Sequence, residues 1–470
     1  MKIEIMKKVL LSTVFGAGMC FASFGQTAIT PKVLEQLSSQ PQTTTDKVVR
    51  NAMAHTSLNT LATDISTLNG VSKGEFAYQV HTKGITDQKQ SGRCWLFTGM
   101  NVLRSQAINA HSLPELELSQ VYLFFYDQLE KSNLFLQGVI DTANKPFDDR
   151  FVDWLFSNPL SDGGTFTGVA DLVKKYGVVP KSVMPETHSS NATSQISAQL
   201  KWQLRDYGMQ LRKMAEKGSK TKELEAEKVK MLGNIYRILT LAYGIPPKEF
   251  TWEMKNTSGT VVSVKTYTPQ SFYKELWGDK DLTGDYVLLM NDPSREYGKV
   301  YQIQYDRHTY EGHDWVYLNL PIDDIKPMAI ESIKDNNAMY ISCDVGKFLN
   351  RQVGTCDLKN FDYESLLGLN LTMDKRERIL THASGSSHAM TLIAVDVDMN
   401  TKAPTRWMVE NSWGASSGFK GNLVMTDEWF NEYMFRFVID KKYVPADVQK
   451  MLKQKPIMLP SWDPMFAVEE

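Results

Sequence analysis

An α+β fold is the class this chain predicts, and three features of the order along it say so. Apolar residues recur at helical spacing through the first half, strand-like alternation takes over in the later part, and no regular strand–helix–strand alternation links them. A chain of 470 residues exceeds what a single small core reaches, so several domains or one elaborated enzyme scaffold are expected.

The first element is a leader. Lys7 and Lys8 precede an apolar run from Val9 to about Phe24, with small residues at Ser23 and Gly25, so a secretory signal cleaved before Gln26 is expected. The run is short for a permanent membrane anchor, no second spanning stretch follows, and Met19 is a poor fit for lipid attachment at Cys20. The protein is therefore expected to be exported, periplasmic or secreted. Residues 26–70 are rich in Ser, Thr and Gln without a sustained period and read as a loosely packed arm, order beginning near Phe76.

Helical spacing then appears in WLFTGMNVLRSQAINA, directly after Cys94, and again in LSQVYLFFYDQLEKSN. The run DGGTFTGVADLVKKYGVVP reads as a Gly-marked turn, a helix and an exit at Gly177 to Pro180. Residues 195–243, dense in Lys, Glu, Leu, Met and Arg, predict a long helical insertion. TVVSVKTY and KVYQIQYD alternate as strands do, and AMTLIAVDVD, RWMVENSW and MFRFVID supply three more strand candidates.

Composition narrows function mainly by exclusion. A hydrophobic share of 42%, 11% aromatics and 23% charged residues describe a globular protein. The 52 basic and 54 acidic residues are interspersed, which leaves no electrostatic footprint for nucleic acid. No phosphate-binding Gly loop, HExxH or CxxC pattern is present, so no cofactor or metal is expected. With Cys20 lost in the leader, Cys94, Cys343 and Cys356 remain. Cys343 and Cys356 either bridge or stand as separate buried thiols, and Cys94 is the natural free one.

Cys94 in QKQSGRCW is the candidate nucleophile. A cysteine opening a helix lies at the positive dipole end, which favours its thiolate, and Gly92 allows close backbone approach to a substrate. Gln88, six residues upstream, is placed to bring its amide beside the Cys94 N–H as an oxyanion donor. A thiolate enzyme also needs a base and a group to orient it. His388 directly precedes an apolar strand and is the stronger candidate; His382 lies beyond a flexible Gly/Ser stretch. Asn411, in VENSWG, is suited to hold an imidazole without quenching it, with Trp413 shielding the bond from water. Taken singly, each of these residues has an ordinary structural reading; as a set they do not.

In the order Gln88, Cys94, His388, Asn411 the chain resembles the papain-like cysteine proteases. The closer resemblance is to their bleomycin hydrolase and aminopeptidase C branch. It is carried by QKQSGRCW, KYGVVPKSVMPE, FTWEM, NDP, SIKDNNAMYISCDVGK, SHAMTLIAV, RWMVENSWG, GFKGNLVMTDEWFNEYMF and LPSWDPM, from about residue 78 to the C-terminus. The resemblance implies Cys94 as nucleophile, His388 as base and acid, Asn411 as orienting amide and Gln88 as oxyanion donor. Gly92, Trp95, Trp413 and the terminal Glu470 are expected around the substrate.

The resemblance further implies a papain-like core. Residues 71–190 would be its helical half, 191–379 a helical and mixed insertion serving assembly, and 380–445 the β half; 446–470 would be an arm reaching the cleft. It implies peptide substrates trimmed from the amino end, and a homohexameric ring. The alternatives are an endopeptidase of the same fold and a non-catalytic ring that binds peptide or nucleic acid. Two departures from the family stand out: the leader, since members of this branch are commonly intracellular, and HASGSSHAM, where Ser387 replaces the usual Thr before the catalytic His.

Overall fold

The computed structural model describes residues 28–68, 71 and 74–465. The expected leader and Glu470 lie outside the described residues. Chain contacts divide the molecule into an N-terminal unit ending at Leu61 and a second unit from Ala62 onward.

In the N-terminal unit, the sequence expectation of an arm without period needs correction. It contains the helices Pro31–Ser38 and Thr44–Met53. The start signals are explicit. Thr30 accepts from the Val33 N–H with proline at the first helical turn, and Thr43 forms a capping box with Asp46. No residue of either helix is buried.

The second unit is built on a mixed sheet of twelve strands. Across it run Ile457–Leu459, Lys299–Ile303, Val316–Asn319, Tyr286–Met290, Met434–Asp440, Met339–Cys343, His388–Val397, Pro404–Glu410, Asn422–Thr426, Thr355–Cys356 and Leu349–Asn350. The short Tyr78–Gln79 strand pairs antiparallel onto His388–Val397. Strands from 286 to 356 therefore belong to the same sheet as the His strand. These strands lie within residues 191–379, and several, such as YVLLM and MYISC, are buried through most or all of their length and carry no alternation to reveal them.

Two apolar cores flank the sheet. The helical one includes Cys94, Trp95, Met100, Val121, Phe124, Val169 and Ala389. The other gathers Ile325, Met328, Met390, Leu392, Trp429 and Phe430. His388–Val397 thus has buried side chains on both faces, and nine of its ten residues are buried.

The expected helices after Cys94 appear as Cys94–His111, Gln120–Asp141 and Phe166–Tyr176. The predicted long helical insertion is a pair, Ser194–Glu216 and Thr221–Tyr243, joined by the turn at 217–220, where Gly218 adopts φ +90°. Both pack on Gln120–Asp141. A separate antiparallel hairpin follows, Phe250–Lys255 with Val261–Tyr267, and then the helix Pro269–Trp277, which the sequence reading passed over between TVVSVKTY and KVYQIQYD despite its Thr268 cap and leading proline. Cys94, Cys343 and Cys356 are all buried and outside any disulfide, so the bridge left open between Cys343 and Cys356 is absent.

Candidate active site

Cys94 is the first residue of its helix, as its position before an apolar helical run predicts. Arg93 occupies the cap position with no side-chain cap bond, so no side chain neutralises the amide end where Cys94 sits. Arg93 is itself fully buried and paired with Glu186 at 2.8 Å, its guanidinium resting near the Phe97 and Phe124 rings. A buried cation thus directly precedes Cys94, and sequence reading assigned it no role although it stands within RCW.

The Cys94 helix packs against the strand that begins at His388. That strand start is fixed by pairing of His388 with Cys343 across the sheet, and by the Ser387 N–H donating to the Cys343 carbonyl at 3.1 Å. His388 is 3% exposed. Its Nε2 lies 2.9 Å from Asn411 Oδ1, and Trp413 covers it with ring centroids 4.9 Å apart. Because Asn411 Oδ1 is an acceptor, and also takes the Ser412 N–H at 2.8 Å, the neutral ring carries its proton on Nε2. Nδ1 is then the basic nitrogen. Burial pushes the imidazole's pKa down to about 4; the Asn411 hydrogen bond works against that shift and the Arg351 charge adds to it. The ring is a neutral base at pH 7 with one nitrogen held.

Gln88 is buried at 4% exposure and tied to the other half of the site. Its backbone N–H donates to the Ser412 carbonyl at 2.8 Å, and its Oε1 accepts from the Ser412 hydroxyl at 2.6 Å. With Oε1 occupied, Nε2 points the other way and gives one hydrogen to the Ser91 carbonyl at 2.7 Å. The amide carries a second hydrogen besides the one given to Ser91. Ser412 was missed by sequence reading, although it lies inside VENSWG and is the clamp that joins the two motifs.

The clamp continues through Asp87, which bridges to Trp413, and through Gly414, whose N–H donates to the Thr86 carbonyl at 3.1 Å. Gly414 has φ +81°, and a Cβ there would lie 2.8 Å from the Asp87 carboxylate. Only glycine fits that position.

The expected surroundings fare unequally. Gly92 is half-buried in the bend before Cys94, and Trp413 is half-buried over His388. Trp95 does not fit its expected place beside substrate. It is 0% exposed, its indole N–H donates to the Asp162 carbonyl at 2.8 Å, and its ring meets His308 at 4.6 Å. A wide flat ring following the helix start is drawn into the core, where it anchors the 161–165 loop. His382, the weaker rival base, takes φ +58° in an exposed position, and Asn411 bonds His388 rather than it.

A helix opening with a thiol, packed on a strand that opens with an imidazole oriented by a neutral amide, is the arrangement of papain-like cysteine peptidases. The sequence profile of the Peptidase C1-like family matches residues 28–466, and the chain belongs to that family. It is 40% identical to bleomycin hydrolase of Homo sapiens, over 83% of this chain and 87% of that protein. It is 35% identical to aminopeptidase C of Listeria innocua, over 94% of this chain and 99% of that one. The crystal structure of PepW from Lactobacillus rhamnosis HN001 superposes with a TM-score of 0.88 at 35% identity, over 94% of this chain and 99% of that one.

Proposed function

We propose that this chain is an exported cysteine aminopeptidase that removes N-terminal residues from peptides through a Cys-His-Asn acyl-enzyme mechanism. The observation that carries the reading is the His388–Asn411 bond at 2.9 Å, at the start of the strand on which the Cys94 helix packs. Similarity to aminopeptidase C supports the amino-end preference.

In this mechanism His388 Nδ1 takes the Cys94 proton, and the sulfur forms a bond to the scissile carbonyl carbon. The oxyanion is held by Gln88 Nε2–H and the Cys94 backbone N–H. His388 then gives its proton to the leaving amine as the C–N bond breaks, leaving a thioester. Water, deprotonated by His388, attacks the thioester; the C–S bond breaks and the proton returns to sulfur. Asn411 keeps the ring oriented through both halves, and Trp413 shields that bond. Six copies would form the ring.

Cys94→Ala is expected to abolish hydrolysis of aminoacyl arylamides while the far-UV circular dichroism stays unchanged; full activity in that variant would sink the proposal. Free and N-acetylated versions of one peptide separate amino-end trimming from internal cleavage, since only the former needs the free amine. Mass spectrometry of a digested peptide pool, with the Cys94→Ala protein as control, reads which ends shorten. Recovery of the protein in the cytoplasm with residues 1–25 attached would overturn export, and a monomeric mass by light scattering would overturn the ring.

A further inference from the structure

Beside His388, on Trp413, sits a cation that the mechanism above does not use. Arg351 is exposed, and its guanidinium carbon lies 4.4 Å from the Trp413 ring centroid, while that ring lies 4.9 Å from His388. Its place is fixed by the fold. Arg351 opens the turn between Leu349–Asn350 and Thr355–Cys356, which the Gly354 N–H closes onto the Asn350 carbonyl at 2.9 Å. Thr355–Cys356 pairs in turn with Asn422–Thr426, two strands from His388–Val397.

The charges around it leave a net positive rim. Asp87, which bridges to Trp413, is paired with Lys89 at 2.6 Å. Lys420 follows Phe419, whose backbone N would lie 2.4 Å from a Cβ placed on Gly354. Asp357, the nearest acid along the chain, accepts from the Lys359 N–H. No carboxylate of the described residues forms an ion pair with Arg351; its guanidinium rests on the Trp413 ring. Its charge reaches the imidazole, where it disfavours the protonated form.

The proposed chemistry requires the leaving amine to receive its proton from His388, so the chain being released passes the residues that cover His388. We infer that Arg351 is a specificity-determining residue on the leaving-group side, selecting peptides whose released portion carries a carboxylate close to the cut bond. This rests on the peptidase reading. Two sources present the same chemistry: the α-carboxylate of a single released amino acid, as in a dipeptide, and an acidic side chain on the residue after the cut. Either would pair with the guanidinium and offset its repulsion of the imidazolium that forms during proton transfer.

The test uses the full chain and four substrates: Ala-Ala, Ala-Ala-amide, Ala-Asp-amide and Ala-Asn-amide, with loss of each substrate read by mass spectrometry. One exposed charge pair at contact distance corresponds to about fivefold in kcat/KM. The wild type is expected to favour the carboxylate-bearing member of at least one pair by that factor, the responding pair identifying the source. Raising the salt concentration should shrink the preference. Arg351→Gln is expected to bring the ratio to about one, and Arg351→Lys to keep part of it. Ratios unmoved by Arg351→Gln, or a uniform fall in all four rates with ratios intact, would overturn the inference and leave Arg351 as a support for Trp413. A wild type that cleaves none of the four would overturn the peptidase reading and this inference with it.

Discussion

Arg104 and Glu410 form a buried ion pair whose removal tests how the site is held in register. Arg104 lies on the Cys94–His111 helix and Glu410 ends the strand that leads into Asn411, so the pair ties the nucleophile's element to the orienting amide's. Their side chains are 4% and 1% exposed. Arg104 also donates to the Gly84 carbonyl at 3.1 Å. Burial pushes the Glu410 carboxyl up, and the Arg104 charge beside it works in the opposite direction. In Arg104→Met the carboxylate loses its counter-charge where water cannot replace it, at a cost of about 3–5 kcal/mol. The variant can relieve this by protonating Glu410, so its deficit should be smaller at pH 5 than at pH 8. Glu410→Gln strands a guanidinium that cannot deprotonate, so acidification offers that variant no relief by changing the charge of the stranded group. Arg104→Met with Glu410→Met together should recover most of the stability, because no buried charge remains. Urea unfolding of the four proteins at both pH values measures all of this. A loss below about 1 kcal/mol in Arg104→Met, or a double variant as unstable as the two singles summed, would refute the reasoning.

Two further outcomes follow from the site geometry. Gln88→Ala should lower kcat on aminoacyl arylamides by about 10²–10³ with little change in KM, since the lost hydrogen bond is made to the developing oxyanion; a change confined to KM would remove Gln88 from that role. His388 has a folded pKa of about 4 against about 6.5 in an unfolded chain. Between those values the unfolded state binds the extra proton, so stability rises with pH from about 4 to 6.5 and is level above. On the order of 3 kcal/mol should disappear on acidification through that window. In a Cys94→Ala background, which removes the thiol's own titration, His388→Gln should flatten the dependence of the urea midpoint on pH; parallel curves would count against a neutral buried imidazole.

What the amino-acid order determined by itself was local. A cysteine at a helix start, a histidine at the head of an apolar strand and an Asn before Ser-Trp-Gly could be read from spacing, since helix and strand periods are properties of neighbouring residues. The family resemblance bound these motifs into one site. Only the tertiary structure decided what lies between them. Ser412 clamps Gln88 across 324 positions of chain, Trp95 is turned into the core, and Arg351 arrives beside Trp413 through strand pairing rather than proximity in sequence. The same reason hid strands such as Tyr286–Met290 and Met339–Cys343, which are short and mostly buried, so they lack the alternation that a solvent-facing side would impose. Such contacts depend on the register of distant strands and on which face a helix buries, and these are settled when the whole core closes.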